Sequence, residues 1–156
     1  MAILELEIAS EVPAGLDLAP LQRVVAGLNA ATGLDLPAGT INLAFTDDAG
    51  SRELNVRYSG NDYATDVLSF SYIEDGGEPI AGVIGEMSLS YETAVRQAQA
   101  AGTDVATEVA LLALHGMLHI AGYDHQTLEQ QAALQQLQAE LMAGAGLTYR
   151  EFTWQD

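Results

Sequence analysis

Near the start of the chain Leu4, Leu6 and Ile8 alternate with Glu5 and Glu7, and further on Ile41, Leu43 and Phe45 alternate with Asn42 and Ala44. A period of two is that of a half-buried strand, whose successive side chains point to opposite faces, so both segments are expected to be strands. Between them Leu18, Leu21, Val24, Val25 and Leu28 recur at helical spacing, with Gly33 just beyond as a stop signal. Asp47 or Asp48 can cap a short helix that carries Leu54 and Arg57 and ends at Ser59-Gly60. Asp66 to Tyr72 and Val83 to Leu89 read as two further strands.

The second half reads as helical. Ala94 to Ala101 forms one short helix, and Thr103 or Asp104 can cap a second that runs to about Ala121 with Gly122 as terminator. Thr127 and Gln130 have the spacing of a capping box, opening a third helix through Leu128, Leu134, Leu137 and Leu141 to Gly144. Val109 to Tyr123 contains no Asp, Glu, Lys or Arg. That stretch is shorter than the roughly 20 residues a bilayer requires, so it is expected to be a buried central helix and not a membrane span. The expected fold class is α+β: a small mixed sheet of about four strands packed against helices.

The chain of 156 residues shows no linker, repeat or low-complexity stretch, and it falls within the usual span of one domain, so a single domain over 1–156 is expected. With 49% apolar residues it can build a packed core. It has no cysteine, so disulfides and thiolate-held metals are excluded and any bound metal must take nitrogen and oxygen ligands. The start, Met1-Ala2-Ile3-Leu4-Glu5-Leu6-Glu7, has no basic leader before an apolar stretch, and a cytoplasmic protein is expected. Acids number 22 against five arginines and no lysine, for a formal charge of −17. Binding nucleic acid through a broad basic face is therefore disfavoured, and a polyanionic substrate would need a local cation.

All three histidines lie between His115 and His125, in the run His115-Gly116-Met117-Leu118-His119-Ile120-Ala121-Gly122-Tyr123-Asp124-His125. On a helix His115 and His119 are offset by only about 40° around the axis and about 6 Å along it, so both rings leave one face. Gly122 can take a left-handed conformation that folds the chain back, bringing His125 toward the same point. Three imidazoles on an apolar helix are costly to bury without partners, and a divalent cation satisfies all of them. Zinc, one per chain, is the expected ion, with a fourth position left for water; nickel, cobalt or copper suit the same ligands. A metallopeptidase is disfavoured, because the glutamate that follows the first histidine in that class is Gly116 here.

Together with Thr65-Asp66-Val67-Leu68-Ser69-Phe70, this H-G-x-L-H-x-x-G-Y-D-H run closely resembles the YbeY family of bacterial rRNA maturation factors. The resemblance extends from the Leu54-Asn55 helix to Gly144 and implies a zincin-like site on the central helix and the turn after it. It places the metal ligands on His115, His119 and His125. It implies a single-strand-specific, metal-dependent endoribonuclease acting in maturation of ribosomal RNA, especially small-subunit 16S rRNA, and in ribosome quality control. The sequence departs from the family in three places. Tyr58-Ser59-Gly60 stands where the family has Tyr-Arg-Gly, and Arg57 is turned about 160° away on a helix. Gly85-Glu86 replaces Gly-Asp, and Ser71 replaces a proline.

With the histidines committed to metal and no lysine present, the cation must offset phosphate charge and lower the pKa of bound water to about 7. Glu86, on a strand expected to flank the metal, and Asp124, beside a ligand, are the candidate general bases. Asp66 is a candidate to orient a ligand or to bond a strand end; Ser69 and Phe70 read as strand packing, and Tyr123 as an aromatic plug under the turn. Two other functions stay open. One is a noncatalytic, metal-stabilised assembly factor whose acidity suits ribosomal proteins or a ribosome-associated GTPase; the other is a small-molecule metallohydrolase.

Overall fold

In the computed structural model, which describes residues 3–151, the alternating segments form strands β1 (Leu4–Ile8), β2 (Gly39–Thr46), β3 (Val67–Ser71) and β4 (Val83–Ser90). Met1, Ala2 and the end of the expected 1–156 domain lie outside the described residues. The helices are α1 (Ala19–Ala30), α2 (Asp48–Ser59), α3 (Tyr91–Ala101), α4 (Val105–Ile120) and α5 (Leu128–Gly144). The strands form one mixed sheet in the order β1-β2-β4-β3, with β1, β2 and β4 parallel and β3 antiparallel to β4. The class is α+β, with four strands as expected.

Helix termini follow local chemistry. Asp47 caps α2 by accepting the Gly50 N–H at 2.7 Å, and Gly60 ends it in the left-handed region at φ 74°. Asp48, the other candidate cap, instead ties α2 to α3 by accepting bonds from Ser90, Thr93 and Arg96. Asp104 caps α4 through the Thr107 N–H, and Thr127 with Gln130 closes the full capping box on α5. Helix α3 starts at Tyr91 and not at Ala94, because Ser90, the last residue of β4, serves as its cap by accepting the Thr93 N–H.

Helix α4 is the centre of the molecule. From Val109 to Leu114, and at Met117, Leu118 and Ile120, its side chains are at most 1% exposed, which accounts for a helix apolar on nearly every side. It packs against β3 and β4 as well as α1, α3 and α5. Two glycines set how closely α4 meets the sheet. A Cβ on Gly116 would lie 2.4 Å from Met87 Sδ and 2.8 Å from Ser69 Oγ, and one on Gly85 would lie 2.7 Å from both Ile120 Cγ2 and the Phe70 carbonyl oxygen. The position after His115 therefore faces the sheet, where a side chain would have to displace Met87 and Ser69. Among the described residues no helix is long and apolar enough to cross a membrane.

Candidate metal centre

The end of α4 brings the histidines into one region. The Gly122 N–H bonds the His119 carbonyl at 3.1 Å and the Tyr123 N–H bonds the Leu118 carbonyl at 3.0 Å, with Gly122 at φ 109°. This Schellman arrangement satisfies the last carbonyls of the helix and reverses the chain. Asp124 Oδ1 then accepts the His125 N–H at 2.7 Å, fixing the turn. As a result the rings of His115 and His125 face each other with centroids 6.0 Å apart and planes inclined by 29°. Tyr123 packs on the core beneath the turn, as expected of a plug.

His115 is half-buried and His119 exposed, one turn further along α4. Burial pushes His115 down to a pKa of about 4; charge on His125 and His119 acts in the same direction, while the Gln138 hydrogen bond and Asp66 act against it. The ring is thus neutral at pH 7, as a metal ligand must be. Among the described residues no three His, Asp or Glu side chains are gathered closely enough to hold an ion. Two imidazoles sharing a tetrahedral ion through bonds of about 2.0–2.1 Å would have centroids roughly 5 Å apart. His115 and His125 need to close by about 1 Å to meet that spacing. The donor set itself, neutral imidazoles with no thiolate, suits a borderline divalent cation.

The expected bases part company. Gly85 and Met87 face α4, so Glu86 between them projects from the opposite face of the sheet. There it lines a groove with Asn42, Tyr58, Phe70 and Tyr72, and its carboxylate takes the Tyr72 hydroxyl bond, which pushes that phenol up to about 12. Glu86 is therefore not placed as a base for the histidine cluster, because strand alternation turns it away. Asp124 does lie on the histidine side, lining a cavity of about 150 Å³ with His119, Ser71, Glu74 and Tyr123. Asp66 performs the strand-end role: Oδ1 accepts the Val67 N–H at 2.7 Å and Oδ2 accepts from Gln97. Ser71, at the family's proline position, donates its hydroxyl to the Ile120 carbonyl at 3.3 Å. Ser69 packs beside Gly116, and Phe70 meets Tyr58 edge-on at 5.0 Å.

The arginines are committed elsewhere. Among the described residues Arg52 pairs with Asp62, Arg57 with Glu53, Arg96 with Asp48 and Arg150 with Glu108, while Arg23 bonds the Ala145 carbonyl. Arg57, the remaining candidate for the arginine absent at Ser59, is turned to Glu53 in an exposed pair. Gln138 and Tyr149, outside the histidine motif, complete the surroundings of His115. Gln138 is fully buried and its Oε1 lies 2.8 Å from His115 Nδ1, while its Nε2 donates to Tyr149 Oη at 3.2 Å. A glutamine on the Leu134–Leu141 stripe of α5 was the available signal.

A family model described as Endoribonuclease YbeY matches residues 18–146, which include the whole histidine run. The chain belongs to the YbeY endoribonuclease family. It is 40% identical over 140 residues to the Endoribonuclease YbeY of Moorella thermoacetica, covering 83% of this chain and 87% of that one. The Endoribonuclease YbeY of Paramagnetospirillum magneticum is 33% identical over 153 residues, covering 91% of this chain and 93% of that one. The fold also matches the solution structure of TM1509 from Thermotoga maritima with a TM-score of 0.60, at 21% identity over 90% of this chain and 88% of that one. The YbeY match opens at the cap of α1 and closes just after α5, so Tyr149 and Arg150 lie beyond it.

Proposed function

We propose that this YbeY-family protein is a metal-dependent endoribonuclease that cuts single-stranded RNA during ribosomal RNA maturation, small-subunit rRNA above all, and in ribosome quality control in the cytoplasm. His115, His119 and His125 would draw together to hold one divalent cation, zinc in the first instance, with nickel or another divalent metal able to take its place. The observation that carries this reading is His115 itself: a neutral ring beside His125 across the Gly122 turn, in a chain of an endoribonuclease family.

A cation bound there supplies a Lewis acid that activates water or a ribose hydroxyl and offsets the charge on a phosphodiester. The residues of the chain do the rest. The Gly122 reversal carries His125 back toward α4, and Gln138 orients His115. Asp124, bonded at Oδ1 by the His125 N–H, has Oδ2 as the atom to take a proton. With the described arginines turned to carboxylates or a carbonyl, the ion is the centre of positive charge for an RNA phosphate. At a formal charge of −17 the protein also suits basic ribosomal proteins or a ribosome-associated GTPase, whose cations would help bring RNA in.

The test is cleavage of a single-stranded RNA by zinc-loaded wild-type protein and by His119→Ala, with and without ribosomal proteins. Cleavage by the wild type and its loss in His119→Ala are expected. Product ends separate the chemistries: a 5′-phosphate reports attack by water, a 2′,3′-cyclic phosphate attack by the 2′-hydroxyl. A metal-loaded protein that cuts nothing in either setting would overturn the reading in favour of a noncatalytic assembly factor.

A further inference from the structure

Gln138 sits on the face of α5 that carries Leu134, Leu141 and Met142, and it is 0% exposed. An amide sealed among apolar side chains is costly unless both of its ends are bonded. Here both are. The oxygen end meets His115 Nδ1 at 2.8 Å and the nitrogen end donates to Tyr149 Oη at 3.2 Å. The Tyr149 hydroxyl in turn donates to Gln135 Oε1, one turn back on α5. Two of these bonds run one way, Gln138 to Tyr149 and Tyr149 to Gln135, and the third depends on which ring nitrogen of His115 carries the proton.

We propose that Gln138 and Tyr149 are positioning residues that hold His115 in the Nδ1–H tautomer, so that Nε2 carries the lone pair offered to the ion. This deepens the metal reading above and rests on it. A phenol that gives its own proton to Gln135 meets Gln138 only as an acceptor. That turns the Gln138 amide nitrogen toward Tyr149 and its carbonyl toward the imidazole, which must then bring a proton on Nδ1.

Tyr149 reaches this place from outside the family match. After α5 the Gly146 N–H bonds the Ala143 carbonyl and the Leu147 N–H bonds the Met142 carbonyl, with Gly146 at φ 73°, so the chain doubles back along the helix. Arg150 then pairs with the buried Glu108 of α4 and pins the segment at the next residue. The segment after α5 is thereby coupled to the orientation of a ring on α4 through Tyr149 and Gln138.

The experiment is imidazole nitrogen NMR on metal-free protein, followed by Zn2+ titration, for wild type, Gln138→Met, Gln138→Glu and Tyr149→Phe. Wild-type His115 is expected to carry its proton on Nδ1. Gln138→Met is expected to lose that preference and weaken zinc binding about 10- to 100-fold, the range for a lost partner of a ligating histidine. Gln138→Glu keeps an acceptor and is expected to keep the tautomer, a rescue that mere space-filling would not give. Tyr149→Phe is expected to shift the tautomer mixture in the same direction as Gln138→Met. If Gln138→Met does not fold, the wild-type spectrum and the other two variants still decide. An Nε2–H tautomer in the wild type, or an unchanged tautomer in both Gln138→Met and Tyr149→Phe, would overturn the proposal. Wild-type protein that binds no zinc would overturn the metal reading, while the tautomer result still decides the positioning on its own.

Discussion

At His115 the folded and unfolded chains differ in when they take up a proton. The unfolded ring is protonated as pH falls through 6.5, whereas the buried ring waits until about 4. Between those values the native state binds fewer protons, so this stability is fully present above about pH 6.5 and is lost as pH falls toward 4. The loss should be on the order of 2–3 kcal/mol. Urea unfolding of metal-free wild type and His115→Gln across this range checks it: the wild type should weaken more steeply, and parallel pH slopes would contradict the burial argument. The approach of His125 to His115 was legible because helix geometry and one glycine turn suffice to place it, whereas the described residues do not gather three ligands. Glu86 was misplaced for an equally local reason. Gly85-Glu86 fixes two successive residues on opposite faces, but only the contact of Gly85 with Ile120 says which face is which.

Among the elements, the contact of α4 with β3 and β4 determines where the histidines sit. Gly116→Ala would gain up to about 1 kcal/mol of helix propensity. It must also push a methyl group against Met87 and Ser69, an overpacking that costs about 1–3 kcal/mol. A net loss of stability is expected, read as a lower urea midpoint with an unchanged slope. Gly85→Ala should lose more, because the Phe70 carbonyl belongs to a paired strand and does not yield as a methionine tip does. A stabilised Gly116→Ala would show that the helix does not lie this close to the sheet. The termini of α2, α4 and α5 were readable because Asp47, Asp104 and Thr127 bond backbone N–H groups within three residues. The start of α3 was not, because Ser90 belongs to a strand that passes directly into the helix with no loop to mark the change.

For the molecule as a whole, the contacts least visible in the sequence join distant segments. Glu108 is 1% exposed and its partner Arg150 lies 42 residues away. Arg150→Met would leave that carboxylate buried without its cation, at a cost of about 3–5 kcal/mol. Arg57→Ala, which breaks an exposed pair with Glu53, should change stability by no more than about 0.5 kcal/mol. Equal effects in chemical unfolding would contradict the assignment of Arg150 as the pin of the segment after α5. The net charge of −17 was plain from composition, yet only the folded chain shows four of five arginines, among the described residues, paired with carboxylates. On the proposed reading, an ion held at the histidines would then be the centre of positive charge for RNA. Isothermal titration of Zn2+ into metal-free protein tests this most directly, using wild type beside His119→Ala, whose exposed ring can be removed without opening the core. One zinc per wild-type chain and loss of that site in His119→Ala are expected; a wild type that takes up no zinc, or a variant that binds it equally well, would contradict the three-histidine centre.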